Sequence, residues 1–282
     1  MRITLLIFSI LFFNTAIFSQ IENATPIGAR AMGMGGVSLC NSDVWSTNNN
    51  QGAIGFAQES SLGLYYENRF GVSGLGYKSI AGIYVSNFGN FGLRMNYFGY
   101  STYNTVITGI SYGRSFGEYF SAGMQINYLH TQLSEGYGSA GMAIAELGLL
   151  AKPNSNLSIG AHIYNPTMTQ YNQSENVEKI PTYLKLGASY NFDGFALLSV
   201  EIQKDIDYKP VYAVGVEFNI VNNLVARTGI SSNSSMLSLG LGYKYKKIRL
   251  DIAFSHHAYL GYSPYISFVY EFGSTVKESN DE

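Results

Sequence analysis

The chain has 282 residues, 46% of them hydrophobic and 15% aromatic, but only 13% charged, with a formal net charge of −2. A soluble domain carries about twice that share of charge, and a near-neutral chain implies no nucleic-acid partner. The one cysteine, Cys40, excludes an intramolecular disulfide framework and reads as a small buried side chain.

Residues 1–19 read as a signal peptide: Arg2, an apolar run from Ile3 to Phe13, polar Asn14 and Thr15, and then small Ser19. That run is shorter than the roughly 20 residues a membrane helix needs. Next comes GARAMGMGGVSLCNSD (28–43), rich in glycine. Its spacing matches neither dinucleotide-binding nor P-loop patterns, and no strand precedes it, so phosphate binding is set aside.

From residue 59 onward the pattern is alternation. LSLGLGYKY puts Leu237, Leu239, Leu241, Tyr243 and Tyr245 on one face and Ser238, Gly240, Gly242 and Lys244 on the other. IRLDIAFS and FALLSVEIQK repeat it. A membrane-spanning barrel strand shows apolar side chains to lipid and small or polar ones to the lumen at this period. The strands are expected at 62–69, 74–86, 90–98, 104–115, 119–130, 143–152, 156–164, 181–191, 194–204, 211–219, 223–231, 236–245, 248–255 and 264–272. Alternate connections are tight (FGN, FGEY, PNSN, FDG, VNN, KYKK), and the others include TQLSEGYGSAG, NPTMTQYNQSENVEK and HHAYLGYS. The fold class is therefore all-β, a transmembrane antiparallel barrel of about fourteen strands over 59–273, with a short polar tail at 274–282. Short periplasmic turns place both termini in the periplasm of a Gram-negative bacterium, with outer-membrane lipid around the wall.

A fourteen-stranded lumen has room for residues 20–58 as an N-terminal plug. Glycine lets a chain pack close to a wall of small residues. The alternative is a disordered periplasmic leader, against which stand Met32, Met34, Val37, Trp45 and Ile54. Arg30 and Asp43 are candidate pins within this segment, and each would need an oppositely charged lumen partner. Hairpin arithmetic sets Lys185 opposite Glu201, Glu217 near Arg227, and Arg249 opposite Glu271, all six on the polar face.

PIGARAMGMGGVSLCNSDVWSTNNNQGAIGF (26–56) resembles the amino-terminal signature of the FadL-like barrels, particularly the PorV/PorQ branch tied to type IX secretion. The matching positions are Gly28, Ala29, Arg30, Ala31, Met32, Gly33, Met34, Gly35 and Gly36, then Asp43, Val44 and Trp45, then Asn50, Gly52, Ala53 and Ile54. Gln51 stands where the family usually has proline. The resemblance implies fourteen strands with an inserted amino terminus and one of two functions. FadL-type members pass hydrophobic molecules such as long-chain fatty acids; PorV-type members serve secretion or assembly machinery as docked, non-enzymatic subunits. Short polar outer loops offer little capture surface, which favours docking beside a larger outer-membrane complex over transport of a hydrophobic ligand.

A hydrolase would need a nucleophile, a base and an orienting group together. His256 and His257 are consecutive and point to opposite faces of an extended chain, in what reads as an outer loop. His130 has no acidic orienter at an evident position, and His162 faces the lumen near Glu146, as for an ordinary hydrogen bond. Neither a catalytic residue nor a metal ligand nor a cofactor is expected.

Overall fold

The computed structural model describes residues 25–72, 74–133, 138–173, 176–233 and 236–274. The leader at 1–19, the first residues of the 20–58 segment, parts of the connections at 131–141 and 165–179, and the tail beyond 274 lie outside the described residues.

Three short helices come first, α1 (Ala29–Gly33), α2 (Ser46–Asn49) and α3 (Gln51–Ile54). They are followed by β1 (Glu59–Asn68), β2 (Gly76–Tyr84), β3 (Asn90–Gly99), β4 (Tyr103–Phe116), β5 (Phe120–Leu133), β6 (Gly138–Ala151) and β7 (Leu157–Tyr164). A small hairpin, β8 (Gln170–Gln173) and β9 (Asn176–Lys179), precedes β10 (Tyr183–Phe192), β11 (Ala196–Asp205), β12 (Val211–Val221) and β13 (Leu224–Ser231). The chain ends with β14 (Met236–Tyr245), β15 (Ile248–His257) and β16 (Gly261–Ser274). Fourteen strands close into one antiparallel barrel, with β1 against β16, β7 against β10, and β8–β9 apart from the wall. Closure pairs the backbone groups of every strand, as a hydrocarbon surround requires.

Alternation decides which way each side chain faces. In β1 Ser61, Tyr65 and Glu67 are buried, while Leu62, Leu64 and Tyr66 are exposed on the outside. The outer surface is a belt of Leu, Ile, Val and Met, and near the rim where the barrel begins and ends it carries Tyr84, Phe88, Phe116, Tyr119, Phe195 and Tyr245. Aromatic side chains at this level are what a membrane interface favours. Turns at this rim are short: Gly117–Tyr119, Asp193–Phe195, Asn222–Asn223 and Lys246–Lys247. Asp193 and Gly194 take φ of 48° and 77°, the left-handed geometry of tight hairpins.

Turn length corrects the expected register at two hairpins. HHAYLGYS is not a long loop: β15 runs through His257 and β16 starts at Gly261, leaving three residues between them. Arg249 consequently faces Val269, not Glu271, and Glu271 meets Lys244 at 2.7 Å instead. Lys185 lies opposite Gln203 rather than Glu201, again by a shift of two. Glu217 stands directly opposite Arg227. His256 and His257 belong to β15, where His256 packs on Tyr262 and His257 on Phe70.

Inside the wall, one level is stripped of side chains. A Cβ added to Gly215 or Gly229 would come within 2.7 Å or less of Met34, and one on Gly148 would meet Asn50. Gly113 and Gly123 leave room for the Gln51 carbonyl, and Gly240 lies against Gly33. Residues 25–57 rest on these positions. Outward-facing Gly82 has its nearest neighbours at 3.7 Å, an ordinary contact. Gly229→Ala should therefore destabilise the barrel by about 1–3 kcal/mol, the usual cost of overpacking, whereas Gly82→Ala should be nearly neutral. Heat-modifiability on gels would measure both. If the strain comes from the N-terminal segment, removing residues 25–55 should abolish the Gly229→Ala effect.

Candidate functional site

Residues 25–57 line the lumen side of the wall, with α1 against β13–β16, α2 against β2 and β3, and α3 against β3–β7. Local chemistry shapes the path. Gly28 precedes α1 at φ 109°, pressed so close to the Trp45 ring that a Cβ would lie 2.8 Å from it. Asn49 clamps Ile27 by both its backbone groups, at 3.0 and 2.9 Å. Asn50 caps α3 by accepting from Gly52 N, and its amide donates to the carbonyls of Leu39 and Leu149. Trp45 is 2% exposed and meets Tyr65 edge-on at 5.9 Å. A buried tryptophan removes roughly 200 Å² from water, about 5 kcal/mol as an upper bound before conformational entropy.

Charges inside the lumen meet in balanced groups. The Arg30 guanidinium donates twice to Glu217, both at 2.9 Å, and lies 3.5 Å from Asp43. Arg227 bridges Glu217 at 2.6 Å and Asp251 at 2.7 Å, and Arg249 bridges Asp43 and Asp251, both at 3.2 Å. Arg30, Arg227 and Arg249 thus face Asp43, Glu217 and Asp251 without net charge. Burial by itself opposes the Arg30 charge, yet Glu217 and Asp43 hold its pKa above the ordinary arginine value. Gly242 leaves the space in which Arg227 reaches Asp251; a Cβ there would collide with both.

A second group centres on Glu146, which accepts from Arg94 at 2.6 Å, Asn127 at 2.7 Å and Gln51 at 2.9 Å, and meets His162 Nε2 at 3.0 Å. A third is Glu201, whose Oε2 accepts from the backbone N–H groups of Ser38 and Leu39 at 3.0 and 3.1 Å. Its Oε1 lies 3.8 Å from Lys185 Nζ, a diagonal contact rather than the directly opposed one expected from the sequence. Each group ties the N-terminal segment to the wall, through Arg30 and Asp43, Gln51, or the Ser38–Leu39 backbone.

Cys40 departs from expectation: it is half-buried, with Sγ 3.7 Å from the Ser158 carbonyl and 3.9 Å from that of Gly187. Burial pushes its thiol up to about 11, far from the thiolate a nucleophile needs. His130 stacks beside Tyr128 on β5. His162 shares Glu146 with three other donors, an arrangement that holds an imidazole in place. Among the described residues no group of three or more His, Cys, Asp or Glu side chains is placed to hold a metal.

Sequence reasoning missed Arg94, Asp251 and Asn127 as members of these groups, although all three occupy inward positions of the alternation. It also missed the apolar inner surface at the rim opposite the chain ends. There Tyr65, Tyr77, Phe98 and Tyr265 form one cluster with Trp45, and Tyr164 stacks on Tyr183 at 4.9 Å beside Ile107, Leu129 and Ile144 in another. Arg69 lies over the Tyr77 and Phe98 rings and is ion-paired to Glu67 at 2.8 Å.

No protein-family model matches the sequence, and no curated protein matches it. Solved structures do match. The toluene transporter TodX of Pseudomonas putida superposes with a TM-score of 0.68 at 12% identity, covering 88% of this chain and 99% of TodX. The toluene transporter TbuX of Ralstonia pickettii gives 0.68 at 14% identity, covering 90% and 100%. A FadL homologue of Pseudomonas aeruginosa gives 0.64 at 13% identity, covering 86% and 98%. At these identities the likeness is one of fold: the chain has the fourteen-stranded architecture of FadL-type barrels.

Proposed function

We propose that the chain is a non-enzymatic outer-membrane transporter that admits a small hydrophobic molecule to its lumen, with residues 20–58 as a plug and both termini periplasmic. What carries the reading is the near-complete mutual coverage with two barrels described as toluene transporters. The aromatic inner surface at the rim away from the termini adds support, since it gives that end of the lumen an apolar lining.

Short, polar outer loops on their own favour a docked secretion subunit. Similar structures support the transport alternative, and none of those described above speaks for the PorV/PorQ branch. Short outer loops are nonetheless compatible with transport, since inward-facing strand positions also carry apolar side chains, Tyr65, Tyr77, Tyr164 and Tyr183 among them.

Loss of the gene should slow uptake of labelled toluene or a similar neutral hydrocarbon while protein secretion continues unchanged. A secretion defect with normal uptake would overturn the proposal in favour of docking. In planar bilayers the intact protein should be nearly silent, and a form lacking residues 25–55 should conduct ions, because fourteen strands enclose more space than wall side chains fill. Equal conductance of the two forms would remove the plug role. Arg30→Ala breaks a largely buried ion pair, at a cost of about 3 kcal/mol, and should raise conductance and lower the heat-modification temperature. Met32→Leu, which conserves volume, should do neither.

A further inference from the structure

Two cavities lie along one sector of the wall and share β11 and β12 as lining, the first extending to β14 and the second to β7. The one nearer the aromatic rim has a volume of about 80 Å³ and is lined by Met32, Gly36, Glu201, Gln203, Ala213 and Met236, among others. The second opens among the turns near the chain ends, has a volume of about 310 Å³, and is lined by Arg30, Cys40, Lys152, Ser189, Leu197 and Glu217, among others. Their wall positions are close. On β11 the first reaches Glu201 and the second Leu197; on β12 the first reaches Ala213 and the second Glu217. Four residues along a strand span about 13 Å.

Residues 34–40 occupy that interval. Met34 lies on Gly215 and Gly229, and Leu39 lies on Gly160 and Gly187. The chain bends between them at Gly35 and Gly36, whose φ values are 74° and 91°. Past the bend, one contact ties this stretch to the wall by charge-assisted bonds: the Glu201 carboxylate receives both the Ser38 and the Leu39 N–H groups. Apart from the Glu201 carboxylate, the first cavity is faced by uncharged side chains, including Pro26, Met32, Val211 and Met236. It suits a small neutral molecule. The second is polar and opens toward solvent.

We infer that the passage implied by the transport reading runs along β11 and β12 toward the chain-end rim, and that residues 36–40 are its gate, latched shut by Glu201. The hinge is the Gly35–Gly36 bend. Swinging residues 36–40 off the wall joins the two cavities while Arg30 and Gln51 still hold α1 and α3 in place.

The test uses full-length protein in planar bilayers with potassium chloride as the probe. Glu201→Ala combined with Lys185→Met removes the latch without leaving the lysine alone. Losing two charge-assisted bonds should raise conductance roughly tenfold or more. Glu201→Gln, which keeps the shape and one acceptor oxygen, should give a smaller rise and covers the case in which the double variant does not fold. The Ser189 hydroxyl is within hydrogen-bonding reach of the Cys40 thiol. Adding Ser189→Cys should therefore allow a disulfide that returns conductance to the intact level when oxidised and releases it under dithiothreitol. Latch variants that stay silent while the form lacking 25–55 conducts would overturn the gate and leave the plug standing. Conductance unaffected by the disulfide would place the path elsewhere. Silence of the truncated form as well would overturn the transport reading on which the gate rests.

Discussion

Everything inside this barrel depends on contact between a wall without side chains and a chain that fits against it. Fourteen strands enclose more space than their own inward side chains fill, since about eight strands is the size that side chains alone close. Here one level of the wall carries glycines, among them Gly113, Gly123, Gly148, Gly215 and Gly229, and the N-terminal backbone lies directly on them. The fit is mutual. Gly33 and Gly52 on the segment are as tightly placed as the wall positions they meet. The unusual glycine content is thus explained less by flexibility than by backbone-to-backbone packing.

Packing alone leaves polar groups to be satisfied, and a lumen shielded from water makes each of them costly when unpaired. Asn49, Asn50 and Gln51 answer part of this need by bonding to backbone and to Glu146. The charged residues form neutral groups across several strands rather than isolated pairs. Arg227 reaches Asp251 over the vacancy at Gly242, and Arg249 reaches from the wall to Asp43 on the segment. The Gln51 amide supplies one of the four contacts of Glu146, a bond that a proline at this position would have no group to make.

Much of the architecture was legible because lipid on one side and lumen on the other impose a period of two, as LSLGLGYKY shows. Strand number and most boundaries follow from that constraint and from turn residues. The β8–β9 hairpin was not legible, since the sequences QYNQ and NVEK show no alternation of apolar and polar residues. Register failed at β10–β11 and β15–β16 because moving the centre of a turn by one residue shifts every pair by two positions, with no change in which face each side chain takes. Partners two strands apart, such as Arg227 and Asp251, are invisible to hairpin arithmetic. Tyr65, Tyr77 and Tyr265 face inward, and only their parity within the strand separates them from outward Tyr66 or Tyr270.

Residues 25–57 therefore pack on the inner face of the wall through ionic and amide contacts, and inward aromatic side chains gather toward the rim away from the chain ends. Hydrogen exchange on the folded, detergent-solubilised protein measures that packing most directly. Backbone N–H groups bonded inside the segment, such as those of Met32, Asn50 and Ala53, and those bonded to the wall, Ser38 and Leu39, should exchange as slowly as N–H groups in the neighbouring strands. Exchange of residues 28–55 at the rate of a free peptide, beside a protected wall, would contradict a segment seated in the lumen.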